Sequence, residues 1–328
     1  MSDAADTAAI VPCYRCRAHI LGVLEKFGPE IHRIYVVDDA CPEGTGKWVQ
    51  EQTRDARVRV LFNAQNLGVG GAVKRGFSEA ARDGFRLLIK VDGDGQMDPA
   101  DVPALLRPLR QGVADYAKGN RYFDPRSLRA MPPVRIFGNG VLSFLTKLSS
   151  GYWHIMDPTN GYVAIQASVF QALELERIDD RFFFESDMLC RLHLLGAVVQ
   201  DVPLPARYGT ETSNLKIGRI ILPFVSKHAA RTLQRIVYDY FVRDFNVGSA
   251  ELLTGLLALM FGLTYGGYRW LDGLSRGVPT ETGSIMIAVL PTIIGVQLLL
   301  SALNYDIANR FTRPIHEFIG DNIRRGSG

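Results

Sequence analysis

Two stretches late in the chain carry no charge at all: residues 252–268, 17 in number, and residues 283–304, 22 in number. A helix crossing a bilayer needs about 20 apolar residues, so the second run is comfortably long and the first is near the lower limit. Buried helices of a soluble protein are the alternative. Two such runs in succession, joined by one short polar loop (269–282), fit a helical hairpin in a membrane better. Lys216, Arg219, Lys227, Arg231, Arg235 and Arg243 precede the first run, and Arg310, Arg313, Arg324 and Arg325 follow the second. The loop carries only Arg269 and Arg276, offset by Asp272 and Glu281. Basic residues collect on the cytoplasmic side, so both termini are expected there, at an inner cell membrane. The start, MSDAADTAAI, lacks the basic residues and apolar core of a signal peptide.

Residues 217–247 mix apolar side chains with Lys, Arg and His at helical intervals. The pattern predicts an amphipathic helix, or two broken at Pro223, lying on the membrane with its basic side chains toward anionic head groups. A surface helix of the soluble part is the other reading. The expected organisation is therefore a catalytic domain over 1–215, interfacial helices over 216–247, two spans over 248–305 and a cytoplasmic tail over 306–328.

The first 205 residues alternate short apolar runs with helical segments. Strands are expected at 8–12, 34–37, 58–62, 86–91 and 114–117, with helices near 17–27, 46–54, 69–82 and 101–111. Such alternation predicts an α/β domain with a largely parallel sheet, whose ligands bind beyond the carboxyl ends of the strands. A net charge of +3 is too small to indicate a nucleic-acid partner. Cys13, Cys16, Cys41 and Cys190 do not form a disulfide framework, and Cys13-x-x-Cys16 has no second pair at zinc-finger spacing. They read as reduced structural thiols. His154 and His193 have no paired ligand at metal spacing and read as structural too.

The strand ends hold the informative residues. "KVDGDGQMDP" (90–99) places three aspartates, two glycines and a glutamine where a strand stops. An EF-hand is excluded, because Met97 stands where the loop glycine must be and Pro103 where the final Glu must be. One aspartate could be half of a glycosidase pair, and Asp-Gly-Asp-Gly is also plain turn chemistry. The third reading is a divalent cation, Mg2+ or Mn2+, held by few protein ligands and completed by diphosphate and water. Asp94 and Gln96, alternate positions of an extended segment, would face one ion, while Asp92 could bind the ion or a substrate hydroxyl. "VVDDACPEGTG" (36–46) ends another strand with a second acidic pair. "NAQNLGVGGAVKRGF" (63–77) follows, and it matches neither GxxxxGK nor GxGxxG, since Lys74 is misplaced for the first and Val73 stands at the third glycine of the second.

The ordered set "VPCYR", "VVDDACPEGTG", "NLGVGGAVKRGF" and "VDGDGQMDP" resembles glycosyltransferase family 2, whose catalytic domain has the GT-A fold. "KGNRY", "DPTNGY" and "RYGTETSNLK" resemble its polyprenyl-phosphate branch, and the likeness covers about residues 8–217. The resemblance implies a Rossmann-like nucleotide-sugar domain followed by juxtamembrane helices and a two-helix transmembrane hairpin. It implies a UDP- or GDP-linked sugar as donor, an undecaprenyl or dolichyl phosphate as acceptor, and a homo-oligomer as a form seen among membrane-anchored members. Carried over by position, Pro12, Tyr14, Asp38 and Asp39 surround the nucleoside, Asp92 contacts the nucleotide sugar, and Asp94 and Gln96 bind the metal. Arg207 and Lys216 contact the diphosphate, and Arg121, Arg135 and Asn139 hold the acceptor phosphate. Asp92, Asp94, Arg121, Arg135 and Asp157 are the expected catalytic set, with Glu185 and Asp187 as further acids that could orient sugar hydroxyls.

This chain departs from the family in Ala40-Cys41, where a serine often follows the acidic pair, and in Asn160-Gly161-Tyr162, where Ser-Gly-Phe is frequent. The implied reaction is an inverting transfer to a phosphate oxygen, which is already ionised near neutral pH because its second pKa is about 6. Two other readings compete. A polymer-forming synthase should show Q-x-x-R-W, whereas Gly266 stands where the glutamine would precede Arg269-Trp270. A silent membrane scaffold of the same fold has no use for intact Asp92, Asp94, Gln96, Arg121 and Arg207.

Overall fold

The computed structural model describes residues 6–123, 133–158, 160–205 and 217–319. It divides into two compact units, one up to residue 232 joined by the segment from 311 onward, the other Leu233–Arg310.

The first unit is built on seven strands: β1 (Thr7–Cys13), β2 (Arg33–Asp38), β3 (Val58–Phe62), β4 (Leu87–Lys90), β5 (Tyr116–Asn120), β6 (Val163–Gln166) and β7 (Val199–Pro203). Their order is β3-β2-β1-β4-β6-β5-β7. β1 to β4 pair in parallel, β6 runs antiparallel to both β4 and β5, and β5 pairs in parallel with β7. β1, "TAAIVPC", is buried almost throughout, as a central strand covered on both faces must be. Helices α1 (Ile20–Leu24), α2 (Thr45–Gln52) and α4 (Val102–Arg110) supply one apolar layer; α3 (Val69–Arg82) and the helix Phe184–Leu195 supply the other. Gly76 lets α3 approach the sheet, since a Cβ there would meet Ile10 at 2.5 Å. The carboxyl ends of β1, β2 and β4 therefore emerge together, under the start of α3.

The expected strand at 86–91 is the shorter Leu87–Lys90, that at 114–117 lies later at Tyr116–Asn120, and the helix near 17–27 contracts to Ile20–Leu24. The largest difference is β6, a four-residue antiparallel strand wedged between β4 and β5, which leaves the sheet mixed.

The helix Ile217–Val237 is continuous through Pro223, and does not break there. Its basic side chains also do other work than expected. Arg231 grips Asp187 through Nε at 2.7 Å and Nη2 at 3.2 Å, and Lys227 pairs with Asp179. His228 is buried between Phe183 and Phe224, with Nδ1 2.9 Å from the Ser149 hydroxyl. These groups meet carboxylates and rings of the first unit. They tie the helix down on both sides of one turn, while Leu222 is exposed.

Burial holds His228 down to about 4. A folded-state value below the ordinary 6.5 contributes stability that is present above 6.5 and lost as pH falls through 4. We expect about 3 kcal/mol to go over that window. Thermal melting of the wild type and His228→Gln at pH 7 and pH 4 checks this. The wild type should lose more melting temperature than the variant, and equal losses would clear His228 of the effect.

The chain also returns to the first unit at its other end. The Asp115 carboxylate, buried beside β5, accepts from the backbone of Val198, Ile315 and His316 at 2.8–3.0 Å and contacts His316 Nδ1 at 2.7 Å. Phe311 and Ile315 pack against the apolar layer that includes Phe170 and Leu192.

The second unit holds the helices Val247–Arg276 and Thr282–Ala308, about 45 Å and about 40 Å long at 1.5 Å per residue. Both are long and apolar enough to cross a membrane, and only 22% and 17% of their most apolar windows are buried. The first is opened by an Asn246/Ser249 capping box and closed by Gly277 at φ +67°. It thus runs through residues 269–276, where a loop was expected, helped by Arg276–Asp272 pairing at 2.8 Å. The helices meet at small residues: a Cβ on Gly295 would strike Leu259 N at 2.6 Å, a close approach that membrane helices favour. At the base, Arg235 makes a two-point contact with Asp306 at 2.6 and 3.0 Å.

Candidate active site

A cavity of about 600 Å3 opens at the carboxyl ends of the strands. Pro12, Cys13, Tyr14 and Cys16 line it from the end of β1, Asp39 from the end of β2, and Asn66, Gly68, Val69 and Ala72 from the start of α3. Asp92, Gly93 and Asp94 close it after β4, and Arg181 and Phe182 complete the wall. Four of the expected site residues besides Pro12 thus converge here: Tyr14, Asp39, Asp92 and Asp94.

The acidic pair after β2 is divided in its work. Asp38 accepts from the backbone N–H of Cys41 at 2.7 Å and of Gly46 at 2.6 Å. It organises the turn into α2 and lies outside the lining of the cavity. Asp39 accepts from Asn63 Nδ2 at 2.7 Å, Leu67 N at 2.9 Å and Gly68 N at 2.7 Å. It both faces the cavity and fixes the loop that leads into α3.

The second acidic stretch is a turn, not an extended segment. Gly95 takes φ +83°, and Asp94 Oδ1 accepts from Gln96 N at 2.9 Å. Asp94 faces the cavity, while Gln96 is exposed and lies outside its lining. Alternation along a strand is therefore not what would bring them to one ion. Asp92 is gripped from below by Lys90 Nζ at 2.8 Å, and Lys90 also lies 3.7 Å from Glu185. Burial pulls the Lys90 pKa down, but Asp92 and Glu185 more than offset this and the net shift is upward. A buried ammonium thus answers the crowding of carboxylates at the strand end. Lys90 was missed from the sequence; its only signal was a lysine closing an otherwise apolar strand, "LLIK".

A second polar group surrounds Asp157, which is fully buried. Arg121 holds it through Nε at 2.7 Å, Nη2 at 3.0 Å and its backbone N–H at 3.3 Å. Asp157 therefore orients Arg121. Lys118, buried alongside, donates to Asn160 O, and burial lowers it to about 8. Burial raises Asp201 to about 6 while it accepts from Met156 N at 2.8 Å and Asn120 Nδ2 at 3.1 Å. Residues 160–162 join this group to the acids. Asn160 Nδ2 donates to Gly119 O at 2.8 Å, Gly161 lies against Lys90, Asp92 and Glu185, and Tyr162 donates to Asp98 O at 2.8 Å. Asp187 is spent on Arg231 and on Asp179 N. Arg135 and Asn139 lie on the helix Pro133–Ser150, with Asn139 half-buried. Arg207 and Lys216 lie outside the described residues.

The thiols gather at the same end of β1. The neighbouring Cys16 sulfur and burial push the Cys13 pKa up, while the Cys13 neighbour pulls Cys16 down against burial. Cys41 Sγ is 3.2 Å from Thr45 Oγ1 and accepts from Arg15 N at 3.2 Å.

The family model described as glycosyl transferase family 2 matches residues 8–174, half of the chain. The chain is a family 2 glycosyltransferase. It is 32% identical over 186 residues to the undecaprenyl-phosphate mannosyltransferase of Micrococcus luteus, covering 56% of this chain and 75% of that one. It is 31% identical over 204 residues to the polyprenol monophosphomannose synthase of Mycolicibacterium smegmatis, covering 60% and 76%. The dolichol-phosphate mannosyltransferase of Pyrococcus furiosus is 28% identical over 98% of this chain and 82% of its own. Among solved structures, the glucosyl-3-phosphoglycerate synthase of Mycobacterium tuberculosis, crystallised with Mn2+, UDP and glucosyl-3-phosphoglycerate, superposes with a TM-score of 0.52. Identity there is 18%, over 70% of this chain and 80% of that one, so the likeness is one of fold. The glycosyltransferase has the GT-A architecture expected from its motifs. Its departure at Ala40-Cys41 is accommodated in that fold: Ala40 takes φ +53°, and the Cys41 N–H donates to Asp38.

Proposed function

We propose that this glycosyltransferase moves a glycosyl group from a nucleoside-diphosphate sugar to a polyprenyl phosphate at the cytoplasmic face of a membrane, with inversion at the anomeric carbon. The observation that carries the reading is segment 157–162, which packs an Asp157-oriented guanidinium and the Asp92 carboxylate onto one short piece of chain. A fixed guanidinium fork suits an acceptor phosphate, and an acid-lined cavity suits a nucleotide sugar and its cation. The names of the relatives point the same way, and make a mannosyl donor the first to test.

Tyr14 and Asp39 would meet the nucleoside, and Asp92 a hydroxyl of the donor. Arg121, with Arg135 and Asn139, would align the attacking phosphate, supplying proximity and orientation. Arg207 and Lys216 would meet the diphosphate. Asp94 fits a divalent cation by its place on the cavity wall and its hard oxygen donors. Gln96 would have to turn inward to join it. Among the described residues no three His, Cys, Asp or Glu side chains form a ready metal cage, so Mg2+ or Mn2+ would complete its shell with diphosphate and water. When bound, the cation supplies positive charge against the departing diphosphate.

The two apolar helices would span the bilayer with both ends cytoplasmic, as the charge pattern requires. Exposed Phe123, Phe137 and Phe144 on the catalytic unit suit work beside lipid. The test is to incubate the purified chain with Mg2+ or Mn2+, polyprenyl phosphate and GDP- and UDP-linked sugars. A sugar-labelled lipid, extractable into organic solvent and absent without acceptor, is expected. No labelled lipid with any donor would overturn the reading.

A further inference from the structure

Residues 92–97 form a turn that carries two cavity-lining acids, Asp92 and Asp94, on a backbone with glycine at 93 and 95. Glycine leaves such a turn conformationally free, and like charges push it open. Its shape therefore depends on its two feet. The first is Lys90, the last residue of β4, which pairs in register with Val163 of β6. The second is Asp98, whose carbonyl oxygen accepts from the Tyr162 hydroxyl at 2.8 Å. Both feet thus stand on adjacent residues, 162 and 163. Within the turn, Asp92 N also donates to Met97 Sδ at 3.3 Å.

We propose that Tyr162 is a positioning residue for the transfer: its hydroxyl pins the acidic turn, so that Asp92 and Asp94 keep the placement that a donor and its divalent cation require. The proposal rests on the reading of the cavity as the nucleotide-sugar site and of Asp94 as a cation ligand. The Tyr162 side chain is buried, and its ring belongs to the apolar layer that includes Val91 and Val102. Its backbone is fixed on both sides. The N–H donates to Asn160 Oδ1 at 3.1 Å, and the carbonyl accepts from Gly119 N at 2.9 Å. The hydroxyl thus reaches the turn from a ring and a backbone that are both held elsewhere.

The tie can be cut without orphaning its acceptor. The Asp98 carbonyl also accepts from Asp101 N at 3.0 Å, and so keeps a partner when the tyrosine oxygen is removed. Losing the tie leaves a folded turn that visits its competent shape less often, and the apparent affinity of a ligand falls by that fraction. One hydrogen bond contributes enough for about a fivefold change. A saturating cation restores the competent shape, so maximal turnover should survive. A residue that served only the core would give the reverse pattern, a lower melting temperature with unchanged cation affinity.

The experiment compares the full-length wild type with Tyr162→Phe, both in detergent. Bound Mn2+ is read as loss of the free-ion electron paramagnetic resonance signal, with UDP or GDP present and protein-free nucleotide as the blank. Hydrogen exchange follows the peptide over residues 91–101, and turnover is measured across Mn2+ concentrations. The variant should bind Mn2+ about fivefold more weakly. It should exchange faster over 91–101 but not over β1, and reach the wild-type kcat at saturating Mn2+. Equal Mn2+ affinity in the two proteins overturns the proposal, whether or not the variant melts lower. A kcat that stays down at saturating Mn2+ overturns it as well. If the wild type binds no Mn2+ beyond the blank with either nucleotide, the cation reading of Asp94 fails and the role of Tyr162 falls with it. If the wild type binds Mn2+ and the variant binds it equally well, Tyr162 alone is removed.

Discussion

Replacing Lys90 with methionine should lower transfer activity by about 100-fold and stability by about 3 kcal/mol. Lys90 is 1% exposed and is the one ammonium within reach of both Asp92 and Glu185 among the described residues. Removing one partner of a buried ion pair costs more than the pair itself contributed, because the other charge is left unanswered; about 3–5 kcal/mol is usual. The lower end applies because Asp92 keeps 27% of its side chain exposed. The activity loss has a separate cause. Asp92 would turn away from its neighbour, and a displacement of about 1 Å in a positioning group costs on the order of 100-fold. The two effects separate in a double variant, Lys90→Met with Asp92→Asn. Melting temperature should recover in part, since no unpaired carboxylate remains at residue 92, whereas turnover should not. Full stability in Lys90→Met alone would mean that the acids are adequately solvated without the ammonium.

Asp94→Ala should cost more turnover and less stability. Removal of a group that helps stabilise developing charge typically costs about 100- to 1000-fold in kcat, and the upper figure is expected if Asp94 is the principal protein ligand of the cation. The stability at risk includes the short turn in which Asp94 accepts from Gln96 N. Asp94→Asn keeps that acceptor and separates the two effects: it should melt like the wild type yet remain as inactive as Asp94→Ala. Turnover by Asp94→Asn near that of the wild type would remove Asp94 from the metal site. Excess Mn2+ should restore a fraction of turnover to the asparagine variant and little to the alanine one.

Much of the catalytic unit could be read in its residues because β1, β2 and β4 are buried on both faces. "TAAIVPC", "RIYVVD" and "LLIK" are apolar enough to stand out, and the glycines and acids that follow mark where each stops. β5, "YAKGN", does not stand out: it includes a lysine and a glycine that meet Asn160 and an asparagine that meets Asp201 and Tyr122, partners distant in sequence or set by the fold. β6 is four residues long, and its antiparallel insertion is decided by the neighbours it joins. The helix over 217–237 illustrates a further limit. An amphipathic period reveals that one face is charged, but Lys227 and Arg231 meet carboxylates whose positions depend on the tertiary fold. In the site, the acids could be named from their place at strand ends. The division of labour between Asp38 and Asp39, and the burial of Lys90 beneath Asp92, depend on which backbone donors and side chains come to lie beside them.

Segment 157–162 has a thermodynamic corollary. Asp157 is fastened to Arg121 and Gly161 lies against Lys90, Asp92 and Glu185, so on the proposed assignment the acceptor and donor contacts meet on one short piece of chain. Whatever factor donor binding applies to acceptor affinity, acceptor binding must return to the donor. On that assignment the two substrates are linked ligands, each sensing the other through Asp157 and Gly161.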